Sequence, residues 1–194
     1  MHKREFLARS AVLLGGAALL MSGCTTTPMS SKPKSGAARR QEIDDGVNAT
    51  LDRLYSTVQG SHELINKADG VLVFPSVLAA GFVVGGEYGE GALRVNGKSV
   101  GYYSTVTGSF GLQIGAQSKA IIFLFMTQEA LDKFRRSKGW TAGVDASVAI
   151  ITVGANGILD TRTATKPVSA IILTNAGLMA NLSVEGTKIT KLEE

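Results

Sequence analysis

The residue types that could perform acid–base or nucleophilic chemistry are sparse in this chain of 194 residues. His62 is the histidine that a Ser-His-Asp arrangement would need, but it falls in a predicted helix, where a solvated side chain is the simpler interpretation. Two pairs of acids would suit general acid–base catalysis only if the fold held their carboxylates several ångströms apart: Glu87 with Glu90, and Asp145 with Glu185. We therefore expect a protein that is not an enzyme and keep hydrolase activity as a third hypothesis.

Metal and phosphate sites are not expected either. The chain has one cysteine and two histidines, which are too few for most zinc sites. The glycine-rich stretch at 85–91 lacks the Gly-x-Gly-x-x-Gly spacing and the following lysine of phosphate-binding loops. Glycines of strands and turns explain it, so we predict no metal and no cofactor.

The first 23 residues are typical of a secretory signal peptide. Basic residues at positions 3, 4 and 9 precede an apolar run at 11–21, which is shorter than the roughly 20 residues that cross a bilayer. The segment Leu20-Met21-Ser22-Gly23-Cys24 resembles the lipobox of bacterial lipoproteins. The resemblance implies cleavage before Cys24 and acylation of its thiol, with palmitate among the chains. The alternatives are a short membrane anchor and an ordinary signal peptide that leaves a free thiol.

Residues 24–38 are predicted to be the lipidated cysteine and a flexible tether, because they are rich in Thr, Ser, Pro, Lys and Gly. Thr25, not Asp, follows Cys24. By resemblance to Gram-negative sorting rules, this predicts a lipid anchor in the outer membrane with the protein on the periplasmic face. Residues 39–194 are predicted to form one folded domain.

The charge of the chain is unevenly distributed. The full sequence has a net charge of +4, but residues 41–194 carry 13 Lys and Arg against 15 Asp and Glu, a net charge of −2. The basic excess therefore belongs to the signal peptide and tether. The predicted domain has no general basic character, so we expect no nucleic-acid partner.

Apolar residues at helical spacing predict one helix from residue 39 to near residue 60 and a second at 61–68. A third helix is predicted after Thr127, which would cap it. Short apolar runs bounded by glycines predict strands at 71–74, 81–88, 92–95, 99–107, 109–117, 120–126, 142–153, 161–165, 170–175 and 178–184. Hairpin turns are predicted at Asn96-Gly97 and at residues 88–91.

The run at 120–126 is apolar throughout, which predicts a strand buried on both faces; the alternative is a segment that inserts into a membrane. The predicted fold class is α+β. A mostly antiparallel β-sheet is closed or folded onto itself, like a barrel or sandwich, with two or three flanking helices.

Six blocks of sequence, in this order, resemble the SYLF domain family: 67–75, 80–89, 103–104, 108–117, 143–147 and 177–186. The block at 108–117 reads Gly-Ser-Phe-Gly-Leu-Gln-Ile-Gly-Ala-Gln, a long and compositionally unusual match. The resemblance covers about residues 41–190. The resemblance implies a module that binds phospholipids without catalysis.

The residues suggest where a lipid headgroup would bind. Four cations beside an aromatic residue suit an anionic membrane interface, and the candidates are Lys133, Arg135, Arg136, Lys138 and Trp140. The alternative is a helix end that attracts cations for its own stability. The helix predicted from residue 39 is a second membrane candidate, although packing in the core explains its pattern better.

We therefore predict a non-catalytic lipoprotein whose partner is a phospholipid membrane. The alternative is a structural lipoprotein of the cell envelope that binds a protein partner, with lipid serving only as its covalent anchor.

Overall fold

The computed structural model describes residues 35–81, 84–110, 118–151, 166–174, 177–178 and 183–193. They belong to the compact unit Lys34–Glu194. The predicted signal peptide, Cys24 and most of the predicted tether lie outside the described residues, as does the strand predicted at 161–165.

Three helices and nine strands are present in the described part of the chain. The helices are α1 (Gly36–Thr57), α2 (Ser61–Lys67) and α3 (Gln128–Arg136). The strands are β1 (Gly70–Gly81), β2 (Val84–Val95), β3 (Lys98–Phe110), β4 (Ser118–Phe125), β5 (Trp140–Thr141), β6 (Val148–Ile150), β7 (Val168–Thr174), β8 (Gly177–Leu178) and β9 (Lys188–Lys191).

The strands form one sheet in the order β5-β9-β3-β2-β1-β4-β7-β6, with β8 paired to β7. The β6–β7 pair is parallel, and the other pairs between these strands are antiparallel. The sheet curls into a half-barrel. The predicted α+β class, with a mostly antiparallel sheet folded onto itself and three helices, is confirmed.

Both faces of the sheet are covered by apolar side chains. On one face, here called the α1 face, Val47 and Leu54 of α1 pack with Val73 of β1 and Ile122 of β4. On the other, the α3 face, the cluster contains these residues among others: Leu131, Phe134, Trp140, Phe123 and Phe125. Because β4 lies between the two clusters, residues Ile121 to Phe125 are buried. The prediction of a strand buried on both faces is confirmed.

The central strand β1 is irregular at Pro75. Its register with β2 shifts between Val73 and Ser76, and its register with β4 shifts between Phe74 and Val77. Proline has no amide hydrogen to donate to a neighbouring strand, so it is accommodated in a sheet at a bulge. This explains why β1 continues to Gly81 although the sequence indicated a strand that stopped before the proline.

The turn predicted at residues 88–91 is wrong, because β2 runs through them without a break. The glycines there serve close packing. A Cβ atom at Gly91 would lie 2.1 Å from the carbonyl oxygen of Val73, and one at Gly89 would lie 2.8 Å from that of Ser76. The bulge in β1 brings its backbone against β2, and only glycine fits at these two positions.

The other elements follow the predictions more closely. The turn at Asn96-Gly97 is confirmed, with positive φ angles of 51° and 75° that fit a two-residue hairpin turn. Helix α1 begins at Gly36, three residues before the predicted start, because the Ser35 side chain accepts a hydrogen bond from the Ala38 amide. In the strand predicted at 142–153, only Val148–Ile150 is a strand within the described residues.

Candidate functional site

Helix α3 ends in the densest group of cations in the described part of the chain. It begins where the Thr127 side chain accepts a hydrogen bond from the Ala130 amide, and it ends with Lys133, Arg135 and Arg136 in its last turn. Carbonyl groups without helical partners make that end attractive to cations. Leu131 and Phe134 point into the core, and the cations face solvent.

The exposed cations continue from α3 onto the neighbouring strand β9. Lys138 follows the helix, and the Cε atom of Lys188 lies 3.7 Å from where Gly139 would carry a Cβ. We call Lys133, Arg135, Arg136, Lys138 and Lys188 the basic surface. Lys133 donates a hydrogen bond of 2.9 Å to the carbonyl oxygen of Asp145. Among the described residues, none of the five forms an ion pair with a carboxylate.

Trp140 does not belong to this surface, which corrects the expectation that it lies at headgroup depth. Its side chain is 2% exposed, and its ring packs edge-on against Phe123 and Phe134 at centroid distances of 5.9 and 5.7 Å. The indole supports the basic surface from below, because Phe134 lies on the inner side of α3. The structure therefore brings together the four predicted cations and places the predicted aromatic in the core.

Tyr103 lies beneath the cations on the α3 face. Its ring is 5.0 Å from that of Phe134, and burial raises the pKa of its hydroxyl, while the positive charge of Arg135 opposes that rise. Arg135 is thus close enough to the β3 strand to affect a buried tyrosine electrostatically. The basic surface is anchored to the sheet by these contacts.

Helix α1 is fixed to the opposite face by a polar cluster around Asp44. The carboxylate of Asp44 accepts hydrogen bonds from Ser99 at 2.5 Å and Tyr102 at 2.7 Å, and Arg94 lies 3.3 Å away. Burial, followed by the hydrogen bond to Asp44, raises the pKa of Tyr102. The apolar residues of α1 pack in the core, as the spacing of its apolar residues predicted.

A second contact holds the first turns of α1. The Arg39 guanidinium forms a bidentate ion pair with the carboxylate of Glu90, which also accepts a hydrogen bond of 2.6 Å from the Tyr88 hydroxyl. The hydrogen bond from Arg39 lowers the pKa of Glu90. Helix α1 therefore begins over β2, next to Tyr88.

An open groove of about 410 Å³ lies on the α1 face between α1, α2 and the β2–β3 turn. Its lining mixes apolar and polar side chains, among them Leu51, Tyr55, Ile65, Asn66 and Arg94. The Nε of Arg94 is buried without a hydrogen-bond partner among the described atoms, and its Nη2 donates to Asn48 at 2.9 Å. Sequence reasoning did not identify this groove, because its residues come from α1, α2, β1, β2 and the β2–β3 turn, which are separated in the chain.

The candidate carboxylate pair of Glu87 and Glu90 does not form. The two side chains extend from opposite faces of β2, since their positions differ by an odd number. Glu87 pairs with Lys119 at 2.8 Å, and Glu90 pairs with Arg39. Of the second candidate pair, Asp145 accepts a hydrogen bond of 2.6 Å from the Thr141 amide.

The segment Gly97-Lys98-Ser99-Val100-Gly101 has the Gly-x-Ser-x-Gly spacing of hydrolase nucleophiles. It forms a strand-to-strand turn and the start of β3, whereas that motif requires a sharp turn from a strand into a helix. The Ser99 hydroxyl donates to Asp44, and His62 contacts Tyr55 and Asn66 instead. The geometry does not form a nucleophile–base pair.

Two further findings concern metals and membranes. Within the described ranges, no three His, Cys, Asp or Glu side chains lie close enough together to hold a metal ion. None of the described helices is long and apolar enough to cross a membrane.

The fold and the site define a small α+β domain with a curled antiparallel sheet and an exposed basic surface at the end of α3. Residues 106–194 match the Ysc84 family model, described as Las17-binding protein actin regulator. The matched family is the SYLF domain family. The matched region includes the blocks at 108–117, 143–147 and 177–186, so the resemblance is confirmed there. A search of curated proteins finds no match to the chain.

Proposed function

We propose that this protein is a non-catalytic lipoprotein whose SYLF domain binds phospholipids at a membrane. Membership of the SYLF family suggests a lipid-binding domain. The observation that carries the proposal further is the basic surface, where exposed cations have no carboxylate partner among the described residues. Each Lys or Arg near an anionic membrane contributes about 1 kcal/mol of binding free energy.

The same proposal includes the anchor. The lipobox resemblance at residues 20–24 supports acylation of Cys24 and a place on the periplasmic face of the outer membrane. Several acyl chains hold a protein durably on a membrane. The domain would then work beside the leaflet in which it is anchored, and its contribution would be binding without turnover.

The test is vesicle flotation of residues 24–194 with Cys24→Ser. This chain keeps every described residue and the Ser35 cap of α1, and it lacks the apolar run at 11–21 that would bind vesicles by itself. We expect flotation with phosphatidylglycerol-containing vesicles that weakens as salt is added, because salt screens exposed charges.

Charge reversal identifies the surface that binds. Arg135→Glu with Arg136→Glu should weaken binding about tenfold or more and reduce its salt dependence. Lys67→Glu with Lys98→Glu is the matched control, since it changes the net charge equally at two other exposed positions. Equal losses in the two double variants would contradict a specific basic surface. If residues 24–194 with Cys24→Ser do not float even without the charge reversals, acylated Cys24 is the membrane contact that remains in the proposal. The envelope-protein partner then becomes the better hypothesis.

A further inference from the structure

Three large apolar side chains form an exposed row across the sheet. Leu78 of β1 is the cross-strand partner of Tyr88 of β2, and Tyr88 is the partner of Val106 of β3. Their exposed fractions are 52%, 48% and 52%. Cross-strand partners have Cβ atoms about 4.5–5.5 Å apart, so these side chains are immediate neighbours. Isolated exposed apolar residues are ordinary, whereas a contiguous group is a candidate contact surface.

This apolar row lies on the α1 face. Along β2, side chains alternate between faces, so Tyr88 shares a face with Glu90 and Ala92. Ala92 is buried in the α1-face core, and Glu90 binds Arg39 in the first turn of α1. The row therefore lies on the α1 face, next to the place where the first turn of α1 contacts β2.

The row ends at Lys188, the member of the basic surface that lies on β9. Val106 is the cross-strand partner of Lys188, and Lys188 approaches Gly139, which follows Lys138. Apolar side chains bordered by cations are the composition of surfaces that enter the boundary between headgroups and acyl chains. Tyrosine is enriched at that depth.

The proposed anchor is close in the chain to the same place. Ser35, which caps α1, follows Cys24 by eleven residues, and a fully extended chain spans about 3.6 Å per residue. The start of α1 therefore lies within about 40 Å of an acylated Cys24. A membrane is in consequence the surface that the row would meet most often.

We propose that Leu78, Tyr88 and Val106 insert into the outer part of a lipid leaflet while the basic surface contacts the anionic headgroups. This inference rests on the proposed function and specifies which residues enter the apolar region. The row supplies the part of the binding that salt does not screen, since burial of apolar surface does not depend on charge.

An environment-sensitive fluorophore tests insertion directly. In residues 24–194 with Cys24→Ser, Val106→Cys gives a single thiol for an NBD label. Vesicles of phosphatidylcholine and phosphatidylglycerol in equal parts should shift its emission to the blue and increase it severalfold. Val100→Cys is the matched control, because Val100 is also β-branched, lies on the same strand and is 45% exposed, but is about 20 Å away along β3. Its label should not respond.

The outcomes separate the two proposals. If the unlabelled protein does not float with vesicles, the proposed lipid binding itself fails. If it floats but the label at position 106 stays in water, or if the labels at 106 and 100 respond alike, insertion of the row is overturned while headgroup binding stands.

A second measurement does not depend on a label. Leu78→Thr with Val106→Thr places β-branched residues in both strands and removes apolar surface, so binding at high salt should weaken about tenfold. Val100→Thr should leave it unchanged. Unaltered high-salt binding by the double variant, with its circular dichroism intact, would overturn the inference.

Discussion

Glu90 joins helix α1 to the exposed part of the sheet. It accepts hydrogen bonds from Arg39 and from Tyr88. The guanidinium of Arg39 holds the pKa of this carboxyl below its ordinary value of 4.5. Burial, followed by the hydrogen bond to Glu90, raises the pKa of Tyr88. The ionised carboxylate is thus the form that the folded protein favours.

Replacement of the Glu90 carboxylate should change the free energy of unfolding by an amount that depends on pH. Because folding lowers the pKa of Glu90, its stabilisation is complete above pH 4.5 and is lost as pH falls through the folded pKa. We expect Glu90→Gln to lower the free energy of unfolding at neutral pH and the difference from the unmodified protein to shrink in acid. Urea denaturation across this range measures it. A difference that stays constant with pH would contradict the role of the charge.

Among the elements, β1 and β2 depend on each other through the bulge at Pro75. The shift in register brings the β1 backbone against β2, and Gly91 accommodates the carbonyl of Val73. Gly108 on β3 differs, because a Cβ there would meet no atom within 4 Å. Gly91 therefore has no space for a side chain, whereas Gly108 has. The difference depends on the atoms of the neighbouring strand.

Alanine substitutions at Gly91 and Gly108 should have different effects on the free energy of unfolding. Gly91→Ala forces a Cβ atom into a backbone oxygen that cannot move away as a flexible side chain would, so we expect a loss of about 1–3 kcal/mol in the free energy of unfolding. Gly108→Ala should change it little or raise it slightly, since alanine restricts the unfolded chain. Chemical denaturation of the two variants checks this. Equal effects would show that strand propensity, not the bulge, determines the requirement for glycine.

At the scale of the whole molecule, three features favour one orientation on a membrane. The start of α1 leads to the proposed anchor, the apolar row lies beyond it, and the basic surface continues from the row through Lys188. A domain with a net charge of −2 over residues 41–194 would otherwise be repelled by anionic lipids. The local arrangement of charge, and not its total, therefore determines the expected binding.

If both surfaces meet one leaflet, their effects should combine. A variant carrying the Arg135 and Arg136 reversals together with the Leu78 and Val106 replacements should lose binding by the product of the separate losses, because contacts without shared partners are additive in free energy. Flotation of the four proteins at several salt concentrations measures this. A combined loss no larger than that of the charge reversals alone would mean that the apolar row does not meet the membrane.

Much of the local structure follows from the sequence. Thr127 caps α3, Asn96-Gly97 forms a hairpin turn, and the apolar run at 120–126 forms a buried strand, because each signal involves residues that are close in the chain. The blocks at 108–117, 143–147 and 177–186 indicated the SYLF family for the same reason. The four predicted cations are exposed together because they occupy one short helix and the residues just after it.

Tertiary structure determined the features that depend on distant neighbours. Trp140 is buried because Phe123 and Phe134 surround it, which spacing along the chain could not show. Residues 88–91 form a strand, and the β1 backbone packs closely against Gly89 and Gly91 there. Leu78, Tyr88 and Val106 become one surface only through the register of three strands. Strand register and packing join residues far apart in sequence, so a local pattern cannot specify which side chains become neighbours.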